Sequence, residues 1–321
     1  MKAFVTGVAG FIGSHAAATL LKQGHEVVGV DNLNSYYDPA LKQARLANLT
    51  AHDGFRFIEQ DIADAPALAK TVQDFQPDRI VHLAAQAGVR YSLENPMAYA
   101  QSNLMGHVSV LEAARHCDSV AHMVYASSSS VYGERNDPPF REDDPVNAPV
   151  SLYAATKRAD ELMSASYSKL YGMALTGLRF FTVYGPWGRP DMAYWLFTDA
   201  IMNGRPIKLF NEGKMERDFT FIDDVIQTLL RIVDDRPGPS THRLYNIGGS
   251  GPRPLSEFIQ ALEKACGREA ITELAPMQAG DVTCTSADVT RIKRDYGYAP
   301  STPIETGLGQ FVDWYRDYLK I

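Results

Sequence analysis

Short apolar runs alternate along this chain with longer segments in which apolar positions recur every three or four residues. "KAFVTG", "HEVVGVD", "FRFIEQD", "DRIVHLAA" and "HMVYASS" are of the first kind; "FIGSHAAATLLKQG" and "ALAKTVQDF" are of the second. A strand buried on both faces reads as near-continuous Val, Ile and Leu, and a helix packed on one side reads with a period near 3.6. Strand, helix, strand in that order predicts βαβ units and a parallel sheet. The helical pattern is strongest over 96–115 and 152–171.

After about Phe181 the texture changes. "VYGPWGRPDM" carries Gly and Pro every few residues, followed by a short helix near Leu196 and the strand-like "PIKLF". "RDFTFIDDVIQTLLRIV" reads as a strand, an Asp-rich helix start and an amphipathic helix, a return to the first domain. "LSEFIQALEKACG" and "IETGLGQFVDWYRDYLK" add two more helices. The expectation is an α/β protein: a doubly wound parallel sheet over 1–180, with 217–247 returning to it, and a smaller mixed α/β carboxyl-terminal domain from 181–216 and 248–321.

The turn after the first strand, "VTGVAGFIGSH", places Gly7, Gly10 and Gly13 before a helix, with Phe11 and Ile12 between them. Glycine there lets the backbone turn tightly and approach a pyrophosphate, while the helix N-terminus faces the negative charge. The second strand ends in Asp31, 18 residues after Gly13, where a carboxylate accepts hydrogen bonds from an adenosine ribose. Asp31 repels a 2′-phosphate and Asn32 adds no positive charge, so NAD is expected over NADP. Asp61 and Ile62, after the third strand, are candidates to flank adenine. Ala84, Ala85 and Gln86 follow the fourth strand, at the sheet's carboxyl end where ligands bind in such folds.

"YAATK" sets Tyr153 and Lys157 four apart on one helix face, and none of the other fifteen tyrosines has a lysine four residues on. A free phenol titrates near ~10, and turning one into a base at neutral pH takes roughly 4 kcal/mol of preferential phenolate stabilisation. A neighbouring ammonium and the positive ring of oxidised NAD are two sources. Tyr153 would then take the proton of a substrate hydroxyl as hydride leaves its carbon, with Ser128 hydrogen-bonding the same oxygen.

Bulk numbers narrow the setting. With 31 Lys+Arg against 38 Asp+Glu the formal charge is −7, which points away from nucleic acid or an anionic membrane as partner. A multiply charged anion would need a few placed arginines. Cys117, Cys266 and Cys284 are odd in number and unpaired in spacing, which suits a reducing cytoplasm rather than a disulfide framework. His116 and His122 fit no zinc spacing and no metal is expected. No apolar run approaches the ~20 residues that span a bilayer, and "MKAFVTG" reads as a strand rather than a leader.

TGxxGxxG, the strand-ending Asp, the serine before VYG and YxxxK together resemble the extended short-chain dehydrogenase/reductase family of nucleotide-sugar enzymes, over essentially the whole chain. The resemblance implies a Rossmann domain, a smaller UDP-sugar domain, tightly held NAD, and a homodimer formed through the two long helices that flank the serine strand. It also implies that Asn103 supports the site and that Phe180 and Val183 lie near the nicotinamide.

"YASSSSVYG" then decides the reaction type. Family dehydratases carry Asp and Glu after the catalytic Thr or Ser, and family decarboxylases carry a Glu just before VYG. Ser129 and Ser130 stand there in this chain, and neither serves as a carboxylic acid. What remains by resemblance is epimerisation at carbon 4 through a transient 4-keto sugar. In "RFFTVYGPWGRPDM", Thr182 and Arg189 resemble positions that hold the 6-carboxylate of UDP-glucuronate, so the expected product is UDP-galacturonate. The 4-keto uronic acid is a β-keto acid. Ser129, Ser130, Thr182 and Arg189 are expected to hold its carboxylate near the ketone plane and so slow decarboxylation. For the nucleotide, the resemblance implies Arg217 on a phosphate, Lys208 and Leu209 near uracil and Asp281 near the ribose, and Arg90 is a further candidate to reach the diphosphate. Two rivals stand: a UDP-glucose/UDP-galactose epimerase, and a catalytically silent NAD-binding scaffold.

Overall fold

The structure is a computed structural model that describes residues 1–135, 137–249, 251–276 and 283–321. Along the chain, β1 (Lys2–Thr6), β2 (Glu26–Asp31), β3 (Phe55–Glu59), β4 (Arg79–His82), β5 (His122–Ser128) and β6 (Leu175–Phe180) alternate with helices. β7 (Thr182–Tyr184), β8 (Ile207–Phe210) and β9 (Glu216–Phe221) follow, then the helix Ile222–Asp234 and β10 (His242–Ile247). β11 (Pro252–Pro254), the helix Leu255–Cys266, β12 (Thr272–Ala275) and the helix Ile304–Leu319 complete the described course.

Two compact units result. The first comprises Met1–Glu134, Asp144–Phe180 and Ile226–Tyr245; the second comprises Arg135–Asp143, Phe181–Val225 and Asn246–Ile321. The first is built on a seven-stranded sheet in the order β10-β6-β5-β4-β1-β2-β3, with β1 to β6 joined in parallel pairs. Its core joins Phe4, Val28, Val30, Ile80, Met123 and Leu175 from the strands to Leu68, Val72, Val110 and Leu111 from helices. Each such side chain contributes roughly 1.5–3 kcal/mol by leaving water. Successive connections leave β1 for β2 on one side and reach β4 on the other, so a crevice opens beyond the carboxyl ends of β1 and β4.

Two helices of this unit carry candidate site residues. Leu152–Tyr171 starts where the Ser151 hydroxyl accepts from Ala154 N at 3.1 Å, and stops at Gly172 in the left-handed region. The stretch 96–115 is helical throughout, as the pattern predicts, but a π-helical turn, Ala100–Met105, separates Pro96–Tyr99 from Gly106–Arg115. Such turns push one side chain out of regular register, and the buried residue of this one is Asn103.

The second unit holds a three-stranded sheet, β11-β9-β7, and a two-stranded one, β12-β8. The unit boundaries differ from the sequence reading in three places, one of them the end of the return to the first unit, which falls at Tyr245 and not at 247. β9 pairs with β7 and β11 instead of the large sheet, so the return to the first unit begins at Ile226 and not at 217. Residues 135–143 join the second unit, because Phe140 N donates to Ser286 O and Asp288 N to Phe140 O, both at 2.8 Å. Among the described residues, no helix is long and apolar enough to cross a membrane.

Candidate active site

The glycine turn lies at the end of β1. Gly7 adopts φ +70°, and a Cβ there would stand 2.7 Å from Ala84 N. At Gly13 a Cβ would stand 2.1 Å from Gly7 O. Side chains are therefore excluded where β1 turns into the helix Phe11–Lys22, whose first turn has no side-chain cap. Its leading N–H groups are left for an anion.

Asp31 closes the turn from β2. One carboxylate oxygen accepts from Ala9 N at 3.2 Å and the other from Leu33 N at 2.9 Å. Burial raises its carboxyl above the ordinary range, against the pull of Lys42, the two backbone N–H groups and Arg45. Neither of these two cations stands out in the sequence pattern. Arg45 is 1% exposed, and its guanidinium donates to Ala9 O at 3.0 Å and to the Tyr37 hydroxyl at 2.7 Å. Lys42 donates to Asn34 O at 2.8 Å and its Oδ1 at 2.9 Å. Asn32 donates to Asp61 Oδ2 at 3.0 Å, and Asp61 Oδ1 accepts from Ala63 N at 2.8 Å. Ile62 is buried in the core.

Beyond β4, Ala84 N donates to the Thr6 hydroxyl at 3.1 Å. Asn103, 1% exposed, accepts from Gln86 N at 2.8 Å and donates to Gln86 O at 3.1 Å and to the Thr156 hydroxyl at 2.9 Å. One amide thus ties the strand exit to the helix that carries Tyr153 and Lys157, and the π turn aims it there. Ala85 is half-buried between these anchors.

The four serines divide. Ser127 is buried and donates to Glu161 at 2.7 Å. Glu161 also receives two bonds from Arg179, at 2.8 and 2.9 Å, and one from Arg158 at 2.9 Å. Burial pushes the Glu161 carboxyl up, but these donors outweigh it and hold it below the ordinary range. Ser128, Ser129 and Ser130 are half-buried. The Ser128 hydroxyl accepts from Ser130 N at 3.2 Å and from the Ser130 hydroxyl at 3.0 Å. A short 3₁₀ turn, Ser129–Tyr132, presents them past the end of β5.

Tyr153 is half-buried, its ring edge-on to Tyr99 with centroids 6.0 Å apart. Lys157 is buried, and its Nζ donates to Ala126 O at 3.0 Å and to Asp160 Oδ2 at 3.1 Å. Phe180, at the end of β6, is also buried. Arg90 is exposed before the short helix Tyr91–Glu94.

In the second unit, Thr182 opens β7 half-buried and Val183 follows it buried. Arg189 makes a two-pronged pair with Asp191, Nε to Oδ1 at 3.0 Å and Nη2 to Oδ2 at 2.5 Å. Its backbone N donates to the Tyr194 hydroxyl at 2.8 Å. The loop is moored by Trp187, whose ring centre lies 5.1 Å from that of Trp314 and 5.7 Å from that of Tyr318. Arg217 Nη1 donates to Glu216 O at 3.0 Å and Thr283 O at 3.2 Å. Lys208 is exposed and Leu209 half-buried on β8. Asp281 lies outside the described residues. Among the described residues, no cluster of three or more His, Cys, Asp or Glu is placed to hold a metal ion.

A model of the NAD dependent epimerase/dehydratase family matches residues 3–248. The chain is 46% identical over 331 residues to a probable UDP-glucuronate 4-epimerase of Rhizobium meliloti (strain 1021), covering 98% of this chain and 97% of that one. The crystal structure of UDP-glucuronic acid 4-epimerase from Bacillus cereus, in complex with UDP-glucuronic acid and NAD, is 33% identical. It superposes with a TM-score of 0.93 over 99% of this chain and 100% of that one. UDP-glucose 4-epimerase of Thermotoga maritima, solved with UDP-glucose, is 29% identical with a TM-score of 0.89, over 99% of this chain and 100% of that one.

Proposed function

The chain belongs to the NAD dependent epimerase/dehydratase family, and from that premise we propose that it converts UDP-glucuronate to UDP-galacturonate by epimerisation at carbon 4. The observation that carries this reading is the set Ser128, Ser129 and Ser130 past β5, in the unit of Tyr153 and Lys157, with hydroxyls where dehydratases and decarboxylases of the family carry acids. The uronate preference is supported by Arg189, whose fork already accommodates a carboxylate, that of Asp191.

The residues suit NAD. Gly7 and Gly13 leave room for close backbone approach, and Asp31 offers a carboxylate to a ribose while opposing a 2′-phosphate. Bound in the cradle of Gly7, Gly10, Gly13 and Asp31, NAD would supply a reversible hydride acceptor for carbon 4. Tyr153 accepts the hydroxyl proton and gives it back; Ser128 hydrogen-bonds the same oxygen; Lys157 supplies positive charge on the tyrosine's face of the helix. Thr182 and Arg189 hold the carboxylate, with Ser129 and Ser130 limiting its loss. Arg217, Lys208, Leu209, Asp281 and Arg90 serve the nucleotide. The active form is a homodimer, which exposed Met97, Met105, Leu162 and Leu170 on the helices 96–115 and Leu152–Tyr171 support.

The test is proton NMR of purified protein with UDP-glucuronate and no added NAD. UDP-galacturonate signals at constant total nucleotide support the reading and a retained cofactor. UDP-xylose or a 4-keto pentose overturns the role given to the serines. Turnover of UDP-glucose alone moves the protein to the neutral-sugar class.

A further inference from the structure

Lys157 is fixed from two directions. Its Nζ has three N–H bonds, of which one goes to Ala126 O and one to Asp160 Oδ2. Both members of the ion pair are sealed, at 3% and 1% side-chain exposure. The second carboxylate oxygen of Asp160 is buried and has no hydrogen-bond partner among the described residues. A buried carboxylate left half-satisfied is costly, so it calls for an explanation beyond surface solvation.

The other groups around Asp160 do not supply one. On its own helix, Glu161 is taken up by Arg179, Ser127 and Arg158. Ser164 Oγ lies 2.9 Å from Nε2 of His107, on the helix Gly106–Arg115. From the sheet come Tyr125 of β5 and His82 of β4, with ring centres each 5.2 Å from that of His107. Burial and the charge of Lys157 hold His82 down at about 3, so it stays neutral at working pH. Lys157 is thus the cation hydrogen-bonded to Asp160.

We propose that Asp160 is a positioning residue for Lys157: it fixes the ammonium so that the third N–H points away from Ala126 and Asp160, and its negative charge moderates the positive field reaching Tyr153. The inference rests on the reading of Tyr153 as the base. It suits a reaction that returns the abstracted proton to the oxygen it came from, since no proton needs a path from the base to solvent. Burial, opposed by Lys157, brings the Asp160 carboxyl up to about 6, so its charge varies in the range where such a base works.

The test is the pH dependence of kcat for Asp160→Asn in the holoenzyme. Asparagine keeps the acceptor and the shape but removes the charge. The acid-side limb should move to lower pH by about half a unit or more, because a negative charge next to the ammonium is gone. An unmoved limb overturns the proposal, whatever happens to kcat. A second measurement needs neither substrate nor a folded Asp160 variant. Carboxyl carbon NMR of aspartate-labelled protein should show the Asp160 midpoint rising by about one unit in Lys157→Met, and an unchanged midpoint overturns the coupling. If no epimerisation is found at all, the functional reading fails, while the carbon titration still decides the link between Lys157 and Asp160.

Discussion

At the scale of residues, the candidate base and the carboxylate fork make separable predictions. Tyr153→Phe removes one hydroxyl from a half-buried ring and leaves the cofactor cradle intact. It should cut kcat by ~10²–10⁴-fold while the purified protein keeps its NAD, read from the absorbance of cofactor released on denaturation. A silent scaffold would show no turnover to lose. Arg189→Ala removes a charge-assisted pair of donors of roughly 1.5–3 kcal/mol. KM for UDP-glucuronate should rise at least about tenfold, with UDP-glucose affected much less; equal effects on both, measured by steady-state kinetics, would discard the carboxylate role. Much of this was legible in the chain, because glycine turns and YxxxK are local. Lys42, Arg45 and Asp160 were not. Each is a charged residue on a helix, which sequence pattern assigns to solvent, and only the fold shows them buried.

At the scale of elements, the alternation of apolar runs carried the succession of strands and helices into the structure, and the helical pattern over 152–171 coincides with Leu152–Tyr171, whose ends the fold sets at Ser151 and Gly172. Two features were not legible in this way. The π turn at Ala100–Met105 keeps helical periodicity on either side and so leaves no trace in a hydrophobic pattern. β9 has the alternation of any strand, and nothing in "RDFTF" states which sheet it joins. The two long helices also carry the oligomer prediction. Met105 is 55% exposed and Leu162 is 55% exposed, apolar side chains that a helix-to-helix dimer contact would cover. The double variant Met105→Glu, Leu162→Glu should shift the molecular mass by light scattering from dimer to monomer, with unchanged far-ultraviolet dichroism. A monomeric wild type would refute the dimer directly.

At the scale of the whole molecule, buried histidines govern the response to acid. His82 is held neutral down to about 3 and His122 to about 4, both chiefly by burial. In the unfolded chain a histidine charges near 6.5. The unfolded state therefore binds more protons below that pH, and stability falls as pH drops from about 6.5 towards the folded values. His82 alone should account for about 2 kcal/mol at pH 5. Asp160, raised to about 6, works the other way, because the folded state protonates it first. His82→Gln should flatten the decline of Tm between pH 6.5 and 5, and an identical slope would remove histidine burial as its cause. The interleaving of the two units has a consequence for biosynthesis. β10 pairs with β6, yet residues 181–241, which include much of the second unit, leave the ribosome between them. Until then β6 is an apolar strand with a bare edge, open to pairing with any neighbouring nascent chain. A chain stalled or truncated near Val225 should accumulate as aggregate, and the completed first unit should become protease-resistant only once translation has passed Ile247.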